Sequence, residues 1–118
     1  MCKFFIFHFY FLFSVSPSEP VVTRTTPTAH AIKVSWNEPS SDGGSPITKY
    51  SVNISVFGKS DWGEYTITDP SKRTYSIVGL ERNTTYRLRL FAWNIVGIGA
   101  GSVKQVVDTL NLGEGRKQ

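Results

Sequence analysis

Three stretches of this chain alternate apolar and polar side chains with a period of two. In AIKVSWN, residues 31–37, Ile32, Val34 and Trp36 fall on one side and Lys33, Ser35 and Asn37 on the other. ITKYSVNISVF, residues 47–57, sets Tyr50, Val52, Ile54 and Val56 against Lys49, Ser51, Asn53 and Ser55. YRLRLFAWN, residues 86–94, sets Tyr86, Leu88, Leu90 and Ala92 against Arg87, Arg89, Phe91 and Trp93. Successive side chains of a strand point to opposite faces, whereas a helix repeats every 3.6 residues, so each stretch predicts a half-buried strand. Turn-forming clusters separate them: EPSSDGGSP at 38–46, TDPSK at 68–72 and GIGAGS at 97–102. Shorter strands are expected at Val21–Thr25, Glu64–Thr68, Thr74–Val78 and Val103–Thr109. No segment sustains a helical period. Seven short strands with turns between them predict an all-β, seven-stranded antiparallel sandwich.

At 118 residues the chain has room for one core. Its hydrophobic content of 40% and charged content of 19% suit a globular domain rather than a disordered one. The net charge of +4 is scattered, with Lys3, Arg116 and Lys117 in terminal segments, so no basic stripe for nucleic acid forms. The single cysteine is Cys2, which leaves the sandwich without a disulfide or a cysteine-bound metal. Residues 1–16, MCKFFIFHFYFLFSVS, have another composition: a lysine, an apolar run from Phe4 to Phe13, then small residues. That order predicts a secretory signal. The run is too short to cross a bilayer as a helix, which takes about 20 residues. Pro17 directly after Ser16 and the excess of phenylalanine over leucine fit a signal less well. They suit a mispredicted first exon, in which a pyrimidine-rich intron end has been translated, and an unprocessed tail is the third alternative. In the first two cases residues 1–16 lie outside the fold. The expected organisation is a leader at 1–16, a domain at 17–110 and a flexible tail at 111–118.

Tyr86 opens the third alternating strand, six residues after Leu80. In an antiparallel sandwich a tyrosine there packs its ring inward and bonds its hydroxyl to the backbone of the preceding connection. With that corner, the stretch from about Pro20 to Thr109 resembles the fibronectin type III family. The resemblance is carried by Pro20, Trp36 with Pro39, Tyr50, then Leu80, Thr84 and Tyr86, and finally Ala92, Asn94, Gly97, Gly99 and Ser102. Arg82 stands where the family usually has proline. The resemblance implies an immunoglobulin-like sandwich whose structural core includes Trp36, Tyr50, Leu80 and Tyr86. It also implies a binding or spacer module of a receptor, an adhesion protein or a muscle filament protein. DGGSPITKY, Asp42 to Tyr50, is similar to repeats of both neural adhesion and giant muscle proteins. Neither Arg-Gly-Asp nor Trp-Ser-x-Trp-Ser occurs.

No enzyme is expected. His30 is the one histidine outside the leader and reads as a turn residue, while Asp42, Asp61, Glu64, Asp69 and Glu81 fall singly on loops or strand ends. The glycine clusters lead into no helix, as a phosphate loop requires. No cofactor, metal, small-molecule substrate or nucleic acid is implied; the expected partner is a protein or a neighbouring domain, with membrane attachment only through further parts of a longer protein. Two triplets, NIS at Asn53 and NTT at Asn83, are acceptors for N-glycosylation if the chain enters the secretory pathway, and both asparagines are expected to be accessible. Arg87, Arg89, Phe91 and Trp93 form an outward row beside Lys49, Ser51, Asn53 and Ser55. The row reads either as a self-contained cation–π and aromatic ladder or as a docking face for a protein partner. Trp62 either extends this row or caps the edge of the core. The expectation is a non-catalytic recognition or spacer module of an extracellular adhesion or receptor-like protein; the alternative is a structural repeat of an intracellular filament protein.

Overall fold

A computed structural model describes residues 13–111. Residues 1–12 of the expected leader and 112–118 of the expected tail lie outside the described residues. Every regular element among those described is a strand: β1 (Val21–Pro27), β2 (Ala31–Asn37), β3 (Lys49–Val56), β4 (Gly63–Ile67), β5 (Thr74–Val78), β6 (Thr85–Trp93), β7 (Ile98–Gly101) and β8 (Gln105–Asp108). One sheet has the order β1-β2-β5; the other runs β4-β3-β6-β7, with β8 also paired to β6. All pairings are antiparallel.

The eighth strand arises because the expected last strand is both longer than the sequence suggests and interrupted. β7 and β8 run consecutively along the same edge of β6, opposite Phe91–Trp93 and Thr85–Leu88 respectively. Ser102 breaks the ladder between them. It is buried, its N–H donates to Leu90 O at 2.9 Å, and its hydroxyl accepts the Leu90 N–H at 2.9 Å. A side-chain oxygen thus replaces the carbonyl that a continuous strand would offer, and Val103 and Lys104 swing into solvent.

The inward residues of the three alternating strands meet between the sheets. Ile32, Val34, Trp36, Tyr50, Val52, Ile54, Tyr86, Leu88, Leu90 and Ala92 are all buried, joined by Ile67, Ile77, Leu80 and Val107. The Trp36 and Tyr50 rings pack at 5.3 Å between centroids with a 56° tilt, a geometry that adds about 0.5–1.5 kcal/mol to their burial. Tyr86 bridges the corner between β5 and β6: its hydroxyl accepts the Glu81 N–H at 2.9 Å. Thr109 completes the corner, donating its hydroxyl to Glu81 O at 2.6 Å and accepting the Thr84 N–H at 3.0 Å. His30, exposed in the β1–β2 turn, is tied to the same corner: its Nδ1 donates to Leu80 O at 2.9 Å, and its own carbonyl accepts the Leu80 N–H at 3.0 Å.

The chain enters the sandwich at residues that the sequence reading assigns to the leader. The Val15 N–H donates to Gly43 O at 2.8 Å and Ser45 Oγ to Ser14 Oγ at 2.9 Å. Asn94, buried in the β6–β7 turn, spends its amide on this junction. Nδ2 donates to Val15 O at 2.7 Å and to Asp42 O at 2.8 Å, while Oδ1 accepts the N–H groups of Val96 and Gly97. Gly43, at φ 80°, lies so close to Val15 that a Cβ there would overlap the Val15 carbonyl. Ser14 and Val15 are therefore bonded to the loops of the domain. Composition drew the eye to their apolar neighbours, but backbone hydrogen bonding does not show in composition.

Candidate functional site

The outer face of the β4-β3-β6 sheet carries the row singled out in the sequence. Register sets Lys49 opposite Trp93, Ser51 opposite Phe91, Asn53 opposite Arg89 and Ser55 opposite Arg87, all on the face away from the core. The row is laced together. Lys49 Nζ sits 4.3 Å from the Trp93 ring centroid, and Trp93 Nε1 donates to Ser51 Oγ at 2.9 Å. The Arg87 guanidinium stacks 4.6 Å from the Trp62 centroid and donates to Lys59 O. Ser55 Oγ reaches Val56 O at 3.2 Å and Lys59 O at 3.3 Å. Each such cation–π contact at a surface contributes about 0.5–1 kcal/mol. Trp62 therefore extends the row rather than capping the core: it lies in the β3–β4 connection, 42% exposed, and is drawn over the sheet by Arg87.

This covering changes the accessibility that alternation suggests. Ser51 and Ser55 face outward yet are buried, at 1% and 4% exposure. Asn53, expected to be accessible, is half-buried: with Trp62, Arg89 and Phe91 it lines a cleft of about 250 Å³. Its Oδ1 is buried without a hydrogen-bond partner among the described residues. Phe91 is held in the opposite wall because its ring lies over Gly101, where a Cβ would come within 2.7 Å of Cε2. Asn83, by contrast, is exposed in the corner, with its backbone at φ 52°. Nothing in the local sequence signals the cleft, because its Trp62 wall comes from an irregular connection nine residues beyond Asn53.

On the other side of β3, Tyr50 packs inward beneath Arg73, whose guanidinium lies 5.6 Å from the ring centroid and pairs with Glu38 at 3.0 Å. Burial raises the Tyr50 phenol above its ordinary pKa, with the Arg73 cation opposing. Among the described residues no three histidine, cysteine, aspartate or glutamate side chains converge as a metal site would require. The candidate acidic residues stay dispersed: Asp42 and Asp69 cap their own turns through bonds to Gly44 N–H and Ser71 N–H.

The pattern of the fibronectin type III domain matches residues 15–108. Cell adhesion molecule DSCAM of Homo sapiens is 33% identical over 100 residues, covering 85% of this chain and 5% of that protein. Neural cell adhesion molecule 1 of Gallus gallus is 34% identical over 87 residues, covering 71% of this chain and 8% of its own length. The chain thus spans less than a tenth of these relatives. Among solved structures, titin domains A168–A170 superpose with a TM-score of 0.70 at 25% identity, over 83% of this chain and 34% of that one. The FN5 domain of Drosophila Lar superposes with a TM-score of 0.67 at 25% identity, over 80% of this chain and 98% of that one.

Proposed function

The chain belongs to the fibronectin type III family, and on that premise we propose that it is a non-catalytic recognition or spacer module of an extracellular cell-adhesion or receptor-like protein. The observation that carries this reading is the 33–34% identity to two different adhesion molecules, over most of the domain. The signal-like order of residues 1–16 and the acceptor triplets at Asn53 and Asn83 support it. A fold of this kind hosts many unrelated functions, so the partner is read from the surface rather than from the family. The outer face of β3 and β6 is the candidate: Arg87, Arg89, Phe91 and Trp93 are residue types that anchor interfaces. The internal bonding of Lys49, Trp93 and Ser51, and of Arg87 with Trp62, supports the alternative role of that row as a sheet-stabilising ladder.

The second reading, a structural repeat of an intracellular filament protein, draws on the likeness to titin domains. The native chain carrying a C-terminal epitope tag, expressed in animal cells, separates the two. Export to the medium or cell surface, with mobility sensitive to peptide N-glycosidase, is the expected result. Retention in the cytosol without a glycan removes residues 1–16 as a working signal, and with them one support of the extracellular reading. Exported protein then tests the face: Trp93→Ala and Arg89→Glu variants that fold normally but lose association with a partner or with themselves establish docking. Unchanged association in both leaves only the ladder.

A further inference from the structure

We infer that the cleft between Trp62 and Phe91 seats the first N-acetylglucosamine of a glycan carried by Asn53. The inference rests on the extracellular reading and deepens it. Asn53 begins the acceptor triplet Asn53-Ile54-Ser55 and is itself part of the cleft lining. Its amide is oriented with Oδ1 turned inward and buried, which turns Nδ2, the atom that bears a glycan, the other way. A pyranose attached there emerges into a space of about 250 Å³ whose remaining walls are two aromatic rings and a guanidinium.

That lining matches the chemistry of the sugar. A pyranose presents C–H groups on its faces, which pack against aromatic rings, and a polar rim that needs hydrogen-bond partners. Trp62 and Phe91 supply the rings. Arg89, exposed at the same cleft, supplies fixed donors for the acetamido carbonyl and hydroxyls. Both aromatic walls are held in place, Trp62 by the Arg87 cation and Phe91 by its seat over Gly101, so the sugar meets a preformed surface and little ordering is required on contact.

The covalent step precedes folding. As the chain enters the secretory compartment, Asn53 Nδ2 attacks C1 of a lipid-pyrophosphate-linked oligosaccharide. A C–N bond forms, the C1–O bond to pyrophosphate breaks, the lipid pyrophosphate leaves, and the amide gives up one proton. Ser55 is free to assist then; only after folding does its hydroxyl turn to the carbonyls of Val56 and Lys59. At Asn83 the outcome differs. That residue is exposed on the corner, the Tyr86 ring beside it is buried, and a glycan there projects into solvent.

The test uses the full chain secreted from animal cells with an added secretory leader, so that delivery does not depend on residues 1–16. Glycopeptide mapping gives occupancy, and trimming leaves a single sugar at each occupied asparagine. The expected result is an occupied Asn53 whose acetyl methyl proton resonance moves upfield of the Asn83 sugar's, through the ring current of Trp62. Its Tm is expected to exceed that of Asn53→Gln by a few degrees, and Trp62→Ala should abolish both effects. The inference is overturned if Asn53 stays unmodified, whether or not Asn83 is occupied. It is equally overturned if the two acetyl resonances coincide and Trp62→Ala leaves them unmoved. Failure of the native chain to leave the cell without the added leader counts against a working signal in residues 1–16 and leaves the inference standing.

Discussion

Replacing Tyr86 with phenylalanine removes one oxygen and nothing else, and the structure sets what that oxygen is worth. Its hydroxyl accepts the Glu81 N–H at 2.9 Å, so the variant strands a backbone donor. A fully buried stranded donor costs up to about 3 kcal/mol, but Glu81 is exposed and water can reach its N–H, so the expected loss lies near 1 kcal/mol. Tyr50 supplies the control. It is wholly buried, and the one donor near its hydroxyl, the Trp36 indole N–H, lies outside hydrogen-bonding geometry. Tyr50→Phe then removes a desolvated, unpaired oxygen, and the expected change is within about 1 kcal/mol of zero, on the stabilising side. For a domain of this size about 1 kcal/mol moves Tm by roughly 4–8 °C, well within reach of calorimetry or a circular-dichroism melt. The reasoning concerns the hydroxyls and not the rings, so the two variants must separate. Equal losses in both, or a larger loss in Tyr50→Phe, would refute it.

Three further outcomes follow from the same contacts. Trp36→Ala, which empties a buried site beside the Tyr50 ring, is expected to cost about 3–5 kcal/mol in denaturant melts, and an unchanged midpoint would remove Trp36 from the core. Because burial raises the Tyr50 phenol above its ordinary 10.0, its contribution to stability is whole below pH about 10. That contribution is lost as pH climbs through the folded-state value, so alkaline melts should show a decline that Tyr50→Phe lessens. Asn94→Ala deletes four hydrogen bonds at the entry of the chain, and hydrogen exchange at Val15, Val96 and Gly97 should accelerate well before exchange in β3 or β6 does.

The strands most legible in the sequence were β2, β3 and β6, because each buries one face and exposes the other and so writes its pairing into a period of two. Tyr86 was legible for a related reason: an inward phenol at the mouth of a strand requires a partner nearby. The break at Ser102 was hidden, since a serine that turns inward to replace a carbonyl looks like any loop serine. Asn94 belonged to the recognised pattern and Thr109 only closed its range; their bonds reach across 79 and 28 residues to Val15 and Glu81, and no local window contains both ends. At the candidate site, alternation identified which side chains share a face. It gave no account of their burial, because Asn53 and Ser51 are covered by Trp62, Trp93 and Phe91, and a covering side chain belongs to tertiary packing rather than to period.

The junction around Asn94 also determines how this domain would carry a pull. Tension entering from the N-terminal side meets Val15 and Ser18 before it meets β1. Val15 is tied to the β2–β3 loop and, through Asn94, to the β6–β7 turn; Ser18 is tied to the β2–β3 loop through Ser41. The β2–β3 loop joins the two sheets and the β6–β7 turn belongs to the second, so the load divides between the layers instead of falling on the edge strand alone. These short bonds would have to be sheared together before β1 could unzip from β2 one pair at a time. The Asn94 carboxamide is thus the link that carries the pull to the β6–β7 turn, and its removal would leave the entering chain anchored to the β2–β3 loop alone.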